Sequence, residues 1–294
     1  MFHEPVMTRK VVAFLQPEKG GIFVDCTVGM GGHALALLEA GATKVIGLDR
    51  DPAALRIAAE TLNKYRDRVE LVHSDYRAIA AVLEARGIER VDGTLTDMGM
   101  SSYQLEAEGR GFSFQRDDPL DMRMDTTTGP TAAELLRRSE ESEIADAIYK
   151  FGEERHSRRI ARGIVQARTG APLETTAQLA AIVRRAVPRR GFSRIDPATR
   201  TFQALRIWVN RELDDIDTFL TAVAHRLAIG ARLVVIAFHS LEDRIVKHTL
   251  RALAPRDGAP LRILTKKPVT PQPDEVERNP RARSAKLRAA ECVA

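Results

Sequence analysis

Four short apolar runs in the first hundred residues, separated by stretches of helical spacing, restrict this chain more than any other feature. Ile22–Asp25, Lys44–Asp49, Val69–His73 and Val91–Asp97 read as strands. Between them, residues 32–40, 52–63 and 78–86 carry apolar side chains at helical intervals. Regular strand–helix alternation predicts a parallel sheet with right-handed crossovers, an α/β fold. Asp51-Pro52 gives one of these helices an N-cap with proline at its first position.

After Asp97 the pattern changes. Residues 101–125 are rich in glycine, proline and charge, too polar for a strand and too broken for a helix. Helical patterns then dominate. Thr131-x-x-Glu134 and Thr175-x-x-Gln178 match the capping box, and Asp196-Pro197 opens a helix predicted to run toward Leu227, with Gly230 as its C-cap. Strands return at 232–238, more weakly at 261–265, and near 285–288, while 268–280 reads as an irregular surface segment. This order predicts a sheet domain built from residues 1–120 and 206–294, interrupted by an all-helical insert at 121–205. A chain of 294 residues is long enough for both.

Charge is unevenly distributed. The whole chain is only +5, yet residues 150–211 hold fourteen Lys and Arg against four acids, a net +10, which leaves −5 for the remainder. A polyanionic partner and an ordinary solvated, arginine-rich helical surface both suit such a segment. No apolar run approaches the roughly 18 residues of a membrane span. The first ten residues carry Glu4 and no apolar core, so no secretory signal is expected. Two cysteines, Cys26 and Cys292, cannot build a disulfide framework. A cytoplasmic protein with no membrane partner is the expectation, with monomer and homodimer both open.

The loop after the first strand, Asp25-Cys26-Thr27-Val28-Gly29-Met30-Gly31-Gly32-His33, opens a helix, as nucleotide-binding loops do. Asp49 ends the second strand 20 residues after Gly29, where a carboxylate can accept bonds from both ribose hydroxyls. Gly29-x-Gly31-x-x-Ala34 also satisfies the dinucleotide pattern literally, so a nicotinamide oxidoreductase is a competing reading. Asp25 and Asp97 place acids where a pyrophosphate would approach. They suit S-adenosylmethionine, which carries a cationic amino-acid portion and no phosphate. Simple turn-capping is the other role open to both aspartates.

Several long blocks carry a resemblance that covers nearly the whole chain. They are Gly109-Arg110-Gly111-Phe112-Ser113-Phe114, Asp117-Asp118-Pro119-Leu120-Asp121-Met122-Arg123-Met124, Phe151-Gly152-Glu153-Glu154-Arg155, the run from Pro197 to Arg206, and Phe238-His239-Ser240-Leu241-Glu242-Asp243-Arg244. On these residues the chain resembles the ribosomal RNA small subunit methyltransferase H (RsmH/MraW) family. The resemblance implies a class I (Rossmann-like) methyltransferase sheet, with the insert recognising substrate. It also implies S-adenosyl-L-methionine-dependent methylation of a cytidine exocyclic N4 in 16S rRNA of the small ribosomal subunit, near the decoding centre. Carried onto matching positions, the cofactor contacts are Gly31, Gly32, His33, Asp49, Tyr76, Asp97 and Gln104. Cys26, Tyr76 and Tyr103 depart from the family's usual glycine, phenylalanine and proline.

Methylating an exocyclic cytosine amine demands alignment and a proton acceptor, because the amine lone pair is delocalised into the ring. Asp97 is the first candidate acceptor, although it is followed by Met98-Gly99-Met100 rather than the prolines and aromatic common at such a strand end; orienting the cofactor is its alternative role. His239 is the second, with loop-holding as its alternative. Asp121, in the polar segment, is the third, with a hinge role as its alternative. The histidines show no metal-ligand spacing, and methyl transfer needs no activated water, so no metal is expected. The target base has to be unstacked. Phe112 and Phe114, beside Arg110 and Arg116, are candidate stacking rings, whereas Trp208 reads as core. Arg184, Arg185, Arg189, Arg190 and Arg194 are candidate phosphate contacts. A non-enzymatic ribosome-assembly factor on the same fold is the remaining alternative.

Overall fold

In a computed structural model of the chain, which describes residues 5–188, 196–254 and 260–294, the four predicted strands lie side by side. The N-terminal part runs α1 (Thr8–Leu15), β1 (Ile22–Asp25), α2 (Gly32–Glu39), β2 (Lys44–Asp49), α3 (Pro52–Thr61), β3 (Val69–His73), α4 (Ile79–Glu84) and β4 (Val91–Asp97). The helical stretch follows as α5 (Ser102–Glu106), α6 (Ala132–Arg138), α7 (Glu141–Gly152), α8 (Ser157–Gly170), α9 (Thr176–Ala186) and α10 (Ala198–Asn210). The chain then returns through α11 (Ile216–Arg226), β5 (Leu227–Ala237), α12 (Ser240–Ala252), β6 (Leu261–Ile263), α13 (Pro273–Arg278) and β7 (Lys286–Cys292).

The seven strands are ordered β3-β2-β1-β4-β5-β7-β6. β1, β2, β3, β4 and β5 pair in parallel, and β7 runs antiparallel to both β5 and β6. The parallel β1–β5 part is the α/β sheet that the alternation predicted, and the whole is Rossmann-like, as the resemblance implied. Its strand order reverses between β1 and β4, the switch point outside which open α/β sheets bind ligands. Helices α1, α2 and α3 neighbour one another, and α4, α11 and α12 form a second group. Phe23, Leu37, Leu38, Val45, Leu95 and Ile236 are buried in one continuous core. The capped start of α3 is as expected, with the Asp51 carboxylate accepting from Ala53 N–H at 3.0 Å.

Two compact units emerge: residues 1–99 with 215–294, and residues 100–214. Both edges of the second unit lie outside the expected 121 and 205. The reason is packing: Phe112 and Leu120 are buried among Leu136, Ile148, Ile160, Leu179 and Phe202, so the glycine-rich segment belongs to the helical core. That segment is sewn in by Leu120 N–H donating to Glu174 O and Thr176 N–H to Asp118 O. Asn210, buried on α10, accepts from Met124 N–H at 2.7 Å and donates to Met122 O at 2.7 Å.

Four local expectations need correction. The helix predicted from Asp196-Pro197 to Leu227 is two helices, broken at Arg211 and Asp215, both with left-handed backbone. Gly230 is no helix cap. It lies inside β5, where six residues of β5 (Leu227 to Arg232) span three of β4 (Val91 to Gly93). Residues 101–125 contain the short helix α5, started by a Ser101–Gln104 capping box, and 268–280 contains α13. The capping boxes at Thr131 and Thr175 form as expected. Among the described residues, no helix is long and apolar enough to cross a membrane.

Asn210→Ala strips partners from buried backbone groups, so it should lower unfolding free energy by about 2–3 kcal/mol. Urea denaturation should show an earlier midpoint with an unchanged m-value. A midpoint equal to that of the wild type would remove Asn210 from this role.

Candidate active site

Successive strands of a parallel sheet bring their carboxyl ends to one edge, so Asp25, Asp49 and Asp97 gather there from β1, β2 and β4. The β1–α2 loop is tied to that edge. Cys26 N–H donates to Leu95 O, Val28 N–H to Leu48 O, and Asp97 N–H to the Thr27 hydroxyl at 2.7 Å. Thr27 N–H in turn donates to Asp25 Oδ1 at 3.2 Å. Asp49 accepts from Gly29 N–H and Asp51 N–H, each at 2.8 Å, one on each carboxylate oxygen. Both amides hold the loop in register while leaving each oxygen a further lone pair.

The loop glycines meet protein as closely as any ligand. Gly31 has φ +88°, and a Cβ there would lie 3.1 Å from Leu62 side-chain atoms; at Gly32 it would lie 2.6 Å from Pro5. Gly31 is also the N-cap of α2, which carries His33 in its first turn. His33 is buried, and its Nε2 lies 3.5 Å from Asp97 Oδ2. Asp25 Oδ2, Asp97 Oδ1 and His33 Nδ1 are buried without a hydrogen-bond partner among the described residues. Polar atoms in that condition are costly unless something bound satisfies them.

Burial pushes the Asp25 carboxyl up to about 7, against the opposing pull of His33 and of the Thr27 amide. It therefore holds less negative charge at neutral pH than its sequence position suggested. Burial also raises Asp49, with the Asp51 and Gly29 amides opposing. For His33 burial favours the neutral ring, but the Asp97 carboxylate and the charges of Asp25 and Glu275 outweigh it and raise its pKa. Glu275 lies on α13 and accepts from Met7 N–H at 2.6 Å. Nothing in the sequence pattern of that segment pointed to it.

The remaining site candidates are placed separately. Tyr76 follows β3 and packs edge-on to Phe219 at 4.6 Å, with the Arg77 guanidinium 5.8 Å from its ring. His239 is the N-cap of α12: its Nδ1 accepts from Glu242 N–H, and Nε2 lies 3.0 Å from Glu242 Oε1. Nδ1 thus serves the start of the helix, the loop-holding alternative for this residue, while Nε2 is buried without a hydrogen-bond partner among the described residues. In the helical unit, buried Gln104 accepts from Ser101 N–H at 2.9 Å in the α5 capping box. Asp121 is gripped by Arg123 through bonds of 2.7 and 2.9 Å, so its carboxylate is committed to that pair. Phe112 is core rather than a stacking surface, being only 6% exposed. Phe114 is half-buried, edge-on to Phe202 and beneath Arg184, and Trp208 packs against the same core. Arg184 is paired with Asp196 at 2.8 Å, and Arg185 is exposed. Arg189, Arg190 and Arg194 lie outside the described residues.

A Rossmann-like sheet whose switch point carries buried carboxyls around an imidazole matches one family model across residues 1–293, that of the MraW methylase family. The chain belongs to that family. Relatives of this methylase agree at close to half of all positions. It is 52% identical over 291 residues to "Ribosomal RNA small subunit methyltransferase H" of Sorangium cellulosum, covering 99% of this chain and 91% of that protein. It is 50% identical to the protein of the same name from Thermotoga neapolitana, covering 99% and 96%, and 49% identical to that of Bradyrhizobium diazoefficiens, covering 98% and 91%.

The raised acids give a signed expectation for pH. An acid held above its unfolded value of 3.8 opposes folding increasingly as pH climbs from about 4 through about 7. Raised His33 adds the same sign, since its contribution is lost as pH rises through its folded value. Asp25→Asn keeps an acceptor for Thr27 N–H and removes the charge. At pH 8 it should stabilise the ligand-free protein by roughly 2–4 kcal/mol, with little change at pH 4. Urea midpoints at the two pH values test this; equal shifts at both would contradict it.

Proposed function

We propose that this methylase transfers the methyl group of S-adenosylmethionine to the exocyclic N4 of a cytidine in 16S rRNA of the small ribosomal subunit, near the decoding centre. The observation that carries the cofactor half is the buried Asp25–His33–Asp97 cluster with its unpartnered carboxylate oxygens. Those atoms fit a ligand with a cationic amino-acid portion and would repel a pyrophosphate, which disfavours a nicotinamide dinucleotide. The ribosomal RNA half is supported by the names of relatives about 50% identical over nearly the whole chain. The cytidine N4 target rests on the resemblance of the sequence blocks.

Bound S-adenosylmethionine supplies an electrophilic methyl carbon on a sulfonium sulfur. The chain's own residues orient the reactants and move a proton. The free lone pairs of Asp49 accept the ribose hydroxyls, and Tyr76 offers an aromatic ring for adenine. Asp25, through its unpartnered Oδ2, supplies an acceptor for the amino-acid end. Asp97 Oδ2 faces His33, and its buried Oδ1 takes the N4 proton as the nitrogen attacks, localising the lone pair on nitrogen. The reaction belongs in the cytoplasm, where small subunits are built.

Incubation with methyl-labelled S-adenosylmethionine and undermethylated small subunits, followed by mapping of the labelled nucleotide, tests the proposal. Label on a cytidine N4 of 16S rRNA is expected; no transfer would favour an assembly factor, and label elsewhere would overturn the target. Asp97→Asn should lower kcat by about 10²–10⁴, the usual contribution of a positioned acid or base. Asp49→Ala should weaken cofactor binding by roughly tenfold, about 1.4 kcal/mol. Unchanged values would remove these residues from their assigned roles.

A further inference from the structure

The basic excess of residues 150–211 can be divided into charges the fold has already used and charges it has not. Arg168 donates to the Leu136 and Ser139 carbonyls, buttressing the helical core. Arg184 pairs with Asp196, Arg206 with Glu212 and Arg211 with Asp214, at 2.6–2.9 Å. Lys150, Arg162 and Arg200 face Asp146, Glu141 and Glu154 at 3.7–3.9 Å. Four arginines remain without an acidic partner among the described residues: Arg155, Arg158, Arg159 and Arg185.

Three of the four fall within five residues, at the corner where α7 turns into α8, and all three are exposed. Of the corner's two acids, one is engaged elsewhere. Glu154 is buried, accepting from His156 N–H and facing Arg200, which leaves exposed Glu153 as the single acid against three arginines. The first turn of α8 contains no acid and has no side-chain cap, so Arg158 and Arg159 add to the positive end of the helix dipole. Six residues before Arg155, in the last turn of α7, Tyr149 exposes 60% of its surface. Uncommitted arginines next to a solvent-facing ring are the elements of a single-strand nucleic-acid platform: charges track phosphates, and a π-face takes a base.

We infer that the α7–α8 corner, through Arg155, Arg158, Arg159 and Tyr149, is a sequence-independent docking surface for the phosphate backbone and an unstacked base of single-stranded RNA. The inference rests on the proposed RNA substrate. It adds phosphate contacts at the start of α8 to the cluster beginning at Arg184 to which the sequence drew attention.

The test uses the full chain and a mixed-sequence single-stranded RNA, with affinity measured against salt. Each lost phosphate contact lowers the log–log salt slope by about 0.7, so Arg158→Ala with Arg159→Ala should lower it by about 1.4 and weaken binding roughly 25-fold at 0.1 M salt. The double lysine variant should retain the wild-type slope, since a backbone phosphate reads charge. Tyr149→Ala should weaken binding roughly fivefold or more without altering the slope, and Tyr149→Phe should restore it. Arg211→Ala, which removes a paired arginine, should change neither. Wild-type affinity and slope in the double alanine variant would overturn the inference while leaving the methylation proposal standing. Loss of binding to anionic phospholipid vesicles, with RNA binding intact, would overturn it in favour of a membrane surface. RNA binding lost in the variant while the wild type methylates no small-subunit RNA would support the surface and sink the proposed reaction instead.

Discussion

Three carboxyl groups at the ends of β1, β2 and β4 share one edge of the sheet, and burial raises the pKa of two of them, Asp25 and Asp49. Asp25 has no exposure at all, and its carboxyl is pushed up to about 7. The fold manages this with short local bonds. Thr27 bridges Asp25 to the Asp97 amide, Asp49 clamps Gly29 and Asp51, and His33 faces Asp97 from the first turn of α2. What the protein leaves unsatisfied is as informative as what it satisfies. Among the described residues, one oxygen each on Asp25 and Asp97 stays buried and unpartnered, a condition that a ligand bringing positive charge and donors would relieve.

The helical unit solves a different electrostatic problem. Its arginines are numerous, but most hold the unit together through pairs and carbonyl contacts. The +10 of the sequence segment therefore overstates the charge available to a partner. Among the described residues of that segment, three of the four arginines without an acidic partner fall at one corner, where a polyanion would gain counterion release that a paired arginine cannot supply.

Much of the sheet unit was legible because its signals are local. Runs such as Val45–Leu48 and the Asp51-Pro52 cap are decided within a few residues, and β1 to β4 fall where the apolar runs place them. The misreadings involve residues whose state is set by distant contacts. Phe112 stands among glycines and charges, yet its ring is held by Ile148, Ile160 and other helical residues far along the chain. The break between α10 and α11 lies at Arg211 and Asp215, which adopt left-handed backbone without a glycine or proline to announce it. The candidate site divides the same way. Strand-end acids could be read from position, whereas the approach of His33 to Asp97, the charge of Glu275 and the capping role of His239 exist only once the chain is folded.

If the strand-end carboxyls receive the cationic end of the cofactor, the ionisation of Asp25 reports on it directly. The carboxyl ¹³C shift of Asp25, followed against pH without and with S-adenosylmethionine, is the decisive measurement. The account predicts a midpoint near 7 in the ligand-free protein, displaced well downward when the cofactor binds. A midpoint near the ordinary aspartate value in both states would contradict it, as would an upward displacement on binding.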